Sequence, residues 1–171
     1  MIDNMLNSVV KPAITKNIAI LIPCTSNERH WSNFKETYLF NMTLKSFLLT
    51  YDQEHEYTFY IGIDRNDKIF DNKQNKQSFA RFLGIMKNTN IKFIYLDDAA
   101  KGHLTKMWNI LFETAYKDNN DYFFQCGDDI FFTTKGWVND CIKTLVQHND
   151  MGLVGPINNN MRLLTQCFVS K

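Results

Sequence analysis

The adjacent aspartates Asp128 and Asp129 are the residues whose type and spacing point most directly to chemistry. They follow an apolar run over residues 122–126 and Gly127, and apolar residues resume at Ile130. Two neighbouring carboxylates beside apolar surface repel each other, and a divalent cation removes that cost. Mg²⁺ and Mn²⁺ typically take one or two protein carboxylates together with phosphate oxygens and water. The pair therefore predicts a Mn²⁺ or Mg²⁺ site that would stabilise a departing diphosphate. A solvated turn is the alternative, since Gly-Asp-Asp is also typical of turns.

The elements that must position these acids follow from two periodicities. Short apolar runs, rich in β-branched and aromatic residues, occur at residues 18–22, 58–63, 91–96, 122–126 and 153–154. Their nearly continuous apolarity predicts strands buried on both faces, as in a parallel sheet. Apolar residues at helical spacing separate them, beginning at Phe34, Phe79, Leu104 and Val138. We therefore predict a single-domain α/β fold over residues 16–171, with a mostly parallel open sheet and helices on both faces, after an N-terminal tail over residues 1–15.

Polar residues should gather at one edge of this sheet. In open α/β sheets the ligand lies beyond the carboxyl ends of the strands. The residues just after the first four apolar runs are 23–27, 64–67, 97–98 and 127–129, and three of these four groups contain carboxylates. We expect all four to converge on the same edge, which makes that edge the candidate site.

Composition and motifs exclude several other classes. The chain has 171 residues, which is the length of one domain. Its net charge of +1 leaves no basic excess for binding nucleic acid. Its four cysteines lack CxxC spacing, and the apolar surroundings of Cys24, Cys126 and Cys141 indicate buried thiols in a reducing compartment. No secretory signal pattern and no apolar stretch of about 20 residues is present, so we expect a cytoplasmic protein without a transmembrane segment. The dinucleotide, P-loop and nucleophile-elbow patterns are also missing.

Four segments together resemble a known enzyme family. Residues 121–130 resemble the metal-binding DxD strand of GT-A-fold glycosyltransferases of the family 2 type, in its x-Asp-Asp form. Residues 18–25 resemble the first strand of that fold, which ends in Pro and a nucleotide-contacting loop. Residues 60–64 resemble its second strand, and residues 102–109 the segment that opens the helix before the metal strand. The resemblance covers about 140 residues, and it implies the nucleotide-binding N-terminal half of such an enzyme.

The resemblance also implies roles for individual residues. Asp129 would bind the metal directly, and Asp128 would contact the ribose or a metal-bound water. Gly127 stands where the family usually has an acidic residue, so we expect Asp128 to take over the ribose contact. Asp64 would accept a hydrogen bond from a uracil-like base, and Lys106 would contact base or phosphate. The base and ribose pocket would be lined by Pro23, Thr25 and Asn27.

Two further segments allow two interpretations each. Asp97 and Asp98 would help to bind the ribose or form a solvated strand end. Arg29 would bind phosphate or belong to a polar loop. A third segment, the loop over residues 158–160, would border the sugar.

The resemblance favours transfer of a sugar from a UDP- or GDP-sugar to a hydroxyl acceptor on a glycan or protein. No catalytic base is assigned, because in such enzymes it lies after the last strand found here. We therefore expect a C-terminal acceptor domain or a partner chain to supply it. One alternative is a non-catalytic nucleotide-binding or assembly module of a larger complex. Another is a sugar-nucleotidyltransferase, although residues 23–26 lack the Gly-rich, basic loop typical of that class.

Overall fold

The computed structural model describes residues 14–97, 99, 102–156 and 166–171, so most of the predicted N-terminal tail lies outside the described residues. The described chain forms one sheet in the order β3-β2-β1-β4-β5. The first four strands are parallel, and β5 is antiparallel to β4. This confirms the predicted α/β class with a mostly parallel sheet. The strands are β1 (Asn17–Cys24), β2 (Glu56–Ile63), β3 (Thr89–Tyr95), β4 (Tyr122–Gln125) and β5 (Cys167–Ser170).

Helices connect the parallel strands. Between β1 and β2 the chain forms a 3₁₀-helix (Phe34–Glu36), a π-helix (Leu39–Leu44) and α1 (Lys45–Thr50). Then follow α2 (Lys73–Leu83), α3 (Leu104–Lys117) and α4 (Trp137–Gln147). The side chain of Asn72 caps α2 by accepting hydrogen bonds from two backbone N–H groups of its first turn. None of the described helices is long and apolar enough to cross a membrane.

The sheet is buried on both faces, as its apolar runs predict. Ile18, Ile20 and Ile22 of β1 face a large cluster that also contains apolar residues of α1, α2 and α4. Ala19 and Leu21 point to the other face, where they pack with residues of α3. The helices α1, α2 and α4 thus cover one face of the sheet, and α3, in the connection from β3 to β4, covers the opposite face.

Two details of the sequence-based prediction are wrong. The strand predicted at residues 153–154 is only an isolated bridge between Val154 and Phe168, and the last strand is β5. Gly152 has φ of 116°, so the chain turns immediately before this short apolar pair and leaves no room for a ladder. The helical pattern that begins at Phe34 is three helical segments of different geometry, because Thr37 interrupts it with an extended backbone (φ −68°, ψ 148°).

Candidate functional site

The candidate site lies at the edge where β1, β2 and β4 end. Because these strands are parallel, Cys24 pairs with Ile63 and Leu21 pairs with Gln125 at the same edge. In the sheet, β1 lies between β2 and β4. The chain adds β2 and β3 on one side of β1 and then crosses over to add β4 on the other side. Such a crossover leaves a crevice at the carboxyl ends of β1 and β4, where α/β proteins bind ligands. The loop after β1 and the acids after β4 stand on the two sides of this crevice.

The loop after β1 is bonded to the end of β2. The Thr25 hydroxyl and the Asn27 side-chain amide both donate to Oδ2 of Asp64, at 3.1 and 3.3 Å. Oδ1 of Asp64 has no hydrogen bond to any described residue, and the side chain is only half-buried. Pro23 precedes this cluster in β1 and pairs with Gly62 of β2. The structure therefore brings together four of the predicted nucleotide-binding residues, with one carboxylate oxygen still open to a ligand.

Asp67 anchors this loop, although no motif distinguishes it from Asp64 in the sequence. It is 5% exposed and accepts four hydrogen bonds. Two come from the backbone N–H and hydroxyl of Ser26, both at 2.7 Å. The others come from the N–H groups of Ile69 and Phe70, at 2.9 and 2.8 Å. One buried carboxylate thus joins the loop after β1 to the loop after β2. The only sign in the sequence is that Asp67 stands two and three residues before the apolar Ile69 and Phe70. At this spacing an aspartate side chain can accept hydrogen bonds from the backbone N–H groups of a turn.

The acid pair after β4 carries an electrostatic cost. Asp128 is half-buried and Asp129 is exposed. Burial, and then the charge of Asp129, raises the pKa of Asp128 to about 6. Burial and then the charge of Asp128 raise the pKa of the Cys24 thiol at the end of β1, which places the acid close to that strand end. Near neutral pH the pair therefore holds two negative charges where one is poorly hydrated, and a bound cation would offset this cost.

Two hydroxyl groups hold the acidic loop from the side. Thr43, in the π-helix, donates to the backbone carbonyls of Asp128 and Ile130, at 2.7 and 3.2 Å. Ser46, one turn later in α1, accepts a hydrogen bond from the backbone N–H of Phe132 at 2.9 Å. Both hydroxyls are buried. The backbone on both sides of Asp129 is therefore fixed by the helix that follows β1.

Gly127 controls the position of the Asp129 carboxylate. A Cβ atom at residue 127 would lie 2.7 Å from Oδ1 of Asp129, too close for the present rotamer. The exposed carboxylate can rotate away, so Gly127→Ala should leave the thermal unfolding midpoint nearly unchanged. We expect it to weaken Mn²⁺ affinity by about tenfold, the effect typical of a displaced ligand. Isothermal titration with Mn²⁺ and UDP or GDP tests this. Gly84→Ala, in the turn after α2, is the matched control, and an unchanged Mn²⁺ affinity in Gly127→Ala would contradict the assignment.

The other predicted site residues lie apart from these contacts. Lys106 is exposed in the first turn of α3 and makes no hydrogen bond or ion pair with the described residues. Asp97 forms an ion pair with Arg65, whose guanidinium also lies 4.2 Å from the Tyr95 ring centroid. Asp98 and the loop over residues 158–160 lie outside the described residues. Within the described part of the chain, no three His, Cys, Asp or Glu residues form a metal cluster, and the four cysteines are unbridged.

A cavity of about 750 Å³ lies next to Asp129. Phe124, Phe132 and Trp137 supply aromatic surface to its wall, and Asp140 and Thr144 of α4 supply polar groups. Its size is within the range of about 300–1,000 Å³ that small-molecule sites usually have. Asp129 therefore borders a cavity large enough for a sugar ring, while Asp128 lies close to the end of β1.

No family model and no curated protein matches this chain. Among solved structures, the chain is similar to S. aureus TarS, with 13% sequence identity and a TM-score of 0.49. The match covers 78% of this chain and 20% of that chain, so this chain spans about a fifth of the length of the structure it matches. The α/β class rests on the sheet itself, in which the first four strands are parallel and β5 is antiparallel to β4.

Proposed function

We propose that this domain binds a metal-complexed nucleoside-diphosphate sugar, with UDP or GDP as the nucleotide, for glycosyl transfer to a hydroxyl acceptor. One observation carries the proposal: the polar cluster of Thr25, Asn27 and Asp64 and the acid pair Asp128-Asp129 end neighbouring strands at the same edge of the sheet. Adjacent strands lie about 5 Å apart, so a nucleotide can span from one group to the other.

The acid pair fits a hard divalent cation. Its two carboxylates provide oxygen ligands, and the pKa of Asp128, raised to about 6 by burial and by Asp129, reflects a charge that the protein alone leaves uncompensated. Asp129 is exposed and would bind Mn²⁺ or Mg²⁺ directly, whereas Asp128 is half-buried. Such a cation, when bound, supplies Lewis-acid stabilisation of the diphosphate that leaves the sugar.

The polar cluster fits the nucleoside. The free Oδ1 of Asp64 can accept a hydrogen bond from a ring N–H, a group that both uracil and guanine present. Thr25 and Asn27 hold the other oxygen of the same carboxylate, so the acceptor has a fixed direction. The cavity beside Asp129 is the place for the sugar, because aromatic walls and a few polar groups suit a ring with apolar faces and hydroxyl edges.

Titration calorimetry with UDP and GDP, with and without Mn²⁺, tests the proposal. We expect one nucleotide to bind and Mn²⁺ to strengthen its binding. Asp129→Ala should abolish the Mn²⁺ effect while the protein stays folded, because the exposed carboxylate makes no hydrogen bond with the described residues. Glu113→Ala, which removes an exposed carboxylate from α3, is the control and should bind like the wild type.

Two results would contradict the proposal and favour one of the alternatives. Failure of the wild type to bind either nucleotide at millimolar concentration would favour the assembly module. Turnover of a nucleoside triphosphate with a sugar phosphate would favour a nucleotidyltransferase.

A further inference from the structure

Arg29 is held on two aromatic rings beside the candidate site. It belongs to the loop after β1, and its guanidinium carbon lies 5.0 Å from the ring centroid of Tyr38 and 5.6 Å from that of Trp31. The two rings pack edge to face, with their centroids 5.1 Å apart. Trp31 in turn packs against the buried Phe70 at 6.5 Å. The aromatic support under the guanidinium is therefore part of the packed core.

The backbone of Arg29 is also fixed. Its N–H donates to the carbonyl of Ser26 at 3.2 Å, and its carbonyl accepts from the Lys68 ammonium at 2.8 Å. Ser26 is bonded to Asp67, and Glu28 has φ of 62°, a left-handed conformation that turns the chain between these two anchors. The direction of the Arg29 side chain therefore depends on contacts with both the core and the loop after β2.

No carboxylate of the described residues forms an ion pair with Arg29. A chain of contacts places this residue near the acid pair. Tyr38, under the guanidinium, leads directly into the π-helix, and Thr43 of that helix donates to the carbonyl of Asp128. Arg29 and the acid pair thus both border one helical turn.

The guanidinium of Arg29 is available to a ligand. The side chain is exposed, and its N–H donors make no hydrogen bond with the described residues. Two parallel donors of a guanidinium match two oxygens of a phosphate group. Arg29 would also balance charge, because a divalent metal compensates only the two aspartates and leaves the diphosphate charge unbalanced.

We propose that Arg29 binds the diphosphate of the metal-complexed nucleotide, with Trp31 and Tyr38 as the platform that orients it. The inference rests on the proposed function and adds to it the residue that recognises the anionic part of the ligand. Asp64 and its neighbours then recognise the nucleoside, and Arg29 distinguishes a nucleotide from a nucleoside.

The experiment compares Arg29→Gln with the wild type by calorimetry. The probes are UDP and GDP with Mn²⁺, and the nucleosides uridine and guanosine. Loss of a charged hydrogen-bonding group should weaken binding of the nucleotide by about 10- to 100-fold and leave binding of its nucleoside unchanged. Arg29→Lys keeps the charge but loses the planar pair of donors, so we expect an intermediate loss. Arg81→Gln, an exposed arginine of α2, is the matched control and should bind like the wild type.

The outcomes separate the two proposals. Equal binding of UDP or GDP by the wild type and Arg29→Gln overturns the inference alone. So does an equal loss of nucleotide and nucleoside binding, because that pattern shows a merely structural role for Arg29. If the wild type binds neither nucleotide, the proposed function fails and the inference fails with it.

Discussion

Asp67→Ala should lower the free energy of unfolding by about 3–5 kcal/mol, because three backbone N–H groups and one hydroxyl lose a charged acceptor in a buried place. The lost donors are those of Ser26, Ile69 and Phe70. For a chain of this length the thermal midpoint should fall by roughly 10 °C. Nucleotide binding should weaken as well, since the loop that carries Thr25, Asn27 and Arg29 loses its anchor.

Denaturant unfolding, followed by circular dichroism, measures the effect of Asp67→Ala. Asp140→Ala is the control, because Asp140 is an exposed aspartate in the first turn of α4, and its loss should change the free energy of unfolding by only a few tenths of a kcal/mol. If both variants unfold at the same denaturant concentration, Asp67 is not the anchor described here.

Asp128→Asn should have the opposite effect on stability and make the metal-free protein more stable near pH 7. Folding raises the pKa of Asp128 from 3.8 to about 6 through burial and the charge of Asp129. This shift of roughly two pKa units corresponds to at most about 3 kcal/mol of destabilisation, at 1.36 kcal/mol per unit. We expect a gain of about 1–3 kcal/mol in the variant, together with weaker Mn²⁺ binding. The candidate site thus exchanges stability for ligand affinity.

The destabilisation caused by Asp128 should increase with pH. Between pH 4 and 6 the folded protein retains the Asp128 proton that the unfolded chain releases, so the contribution of Asp128 to the stability of the wild type falls as the pH rises through this range. The difference between Asp128→Asn and the wild type should be absent below about pH 4 and complete above about pH 6. Asp129→Asn removes only the charge of Asp129 and leaves the burial of Asp128 unchanged, so it should give a smaller gain in stability. A wild type and an Asp128→Asn variant of equal stability at pH 7 would contradict the electrostatic account.

The sequence could predict the parallel core and the edge where the site lies. β1, β2 and β4 are apolar runs buried on both faces, and the polarity of parallel strands determines which residues leave at the same edge. The position of β5 could not be predicted in this way, because it has four residues, lies at the sheet edge and pairs antiparallel to β4. Its partner is distant in sequence, and periodicity contains no information about such a pairing.

The supporting contacts of the site were also beyond the sequence. Asp67 and Ser26 are 41 positions apart, and the contact becomes apparent only when the two loops meet. No sequence motif indicates that Thr43 or Ser46 contacts the acidic loop, yet both hold the backbone next to Asp129. The metal and nucleotide contacts assigned to Pro23, Thr25, Asn27, Asp64, Lys106, Asp128 and Asp129 stay predictions, because they require a ligand.

The π-helix (Leu39–Leu44) limits how the length of this segment can vary. A π-helical turn contains an additional residue relative to an α-helix, and each α-helical residue rotates the chain by about 100°. Because the π-helical turn takes up this additional residue, deleting one residue before Thr43 would restore an α-helix and keep Thr43 and Ser46 on nearly the same side of the helix relative to Leu39, which is fully buried. Deleting a second residue would rotate their hydroxyls by about 100°, away from the backbone groups of Asp128 and Phe132 that they contact. This segment should therefore tolerate a change in length of one residue but not of two, whereas the exposed turn over residues 148–152 should tolerate both.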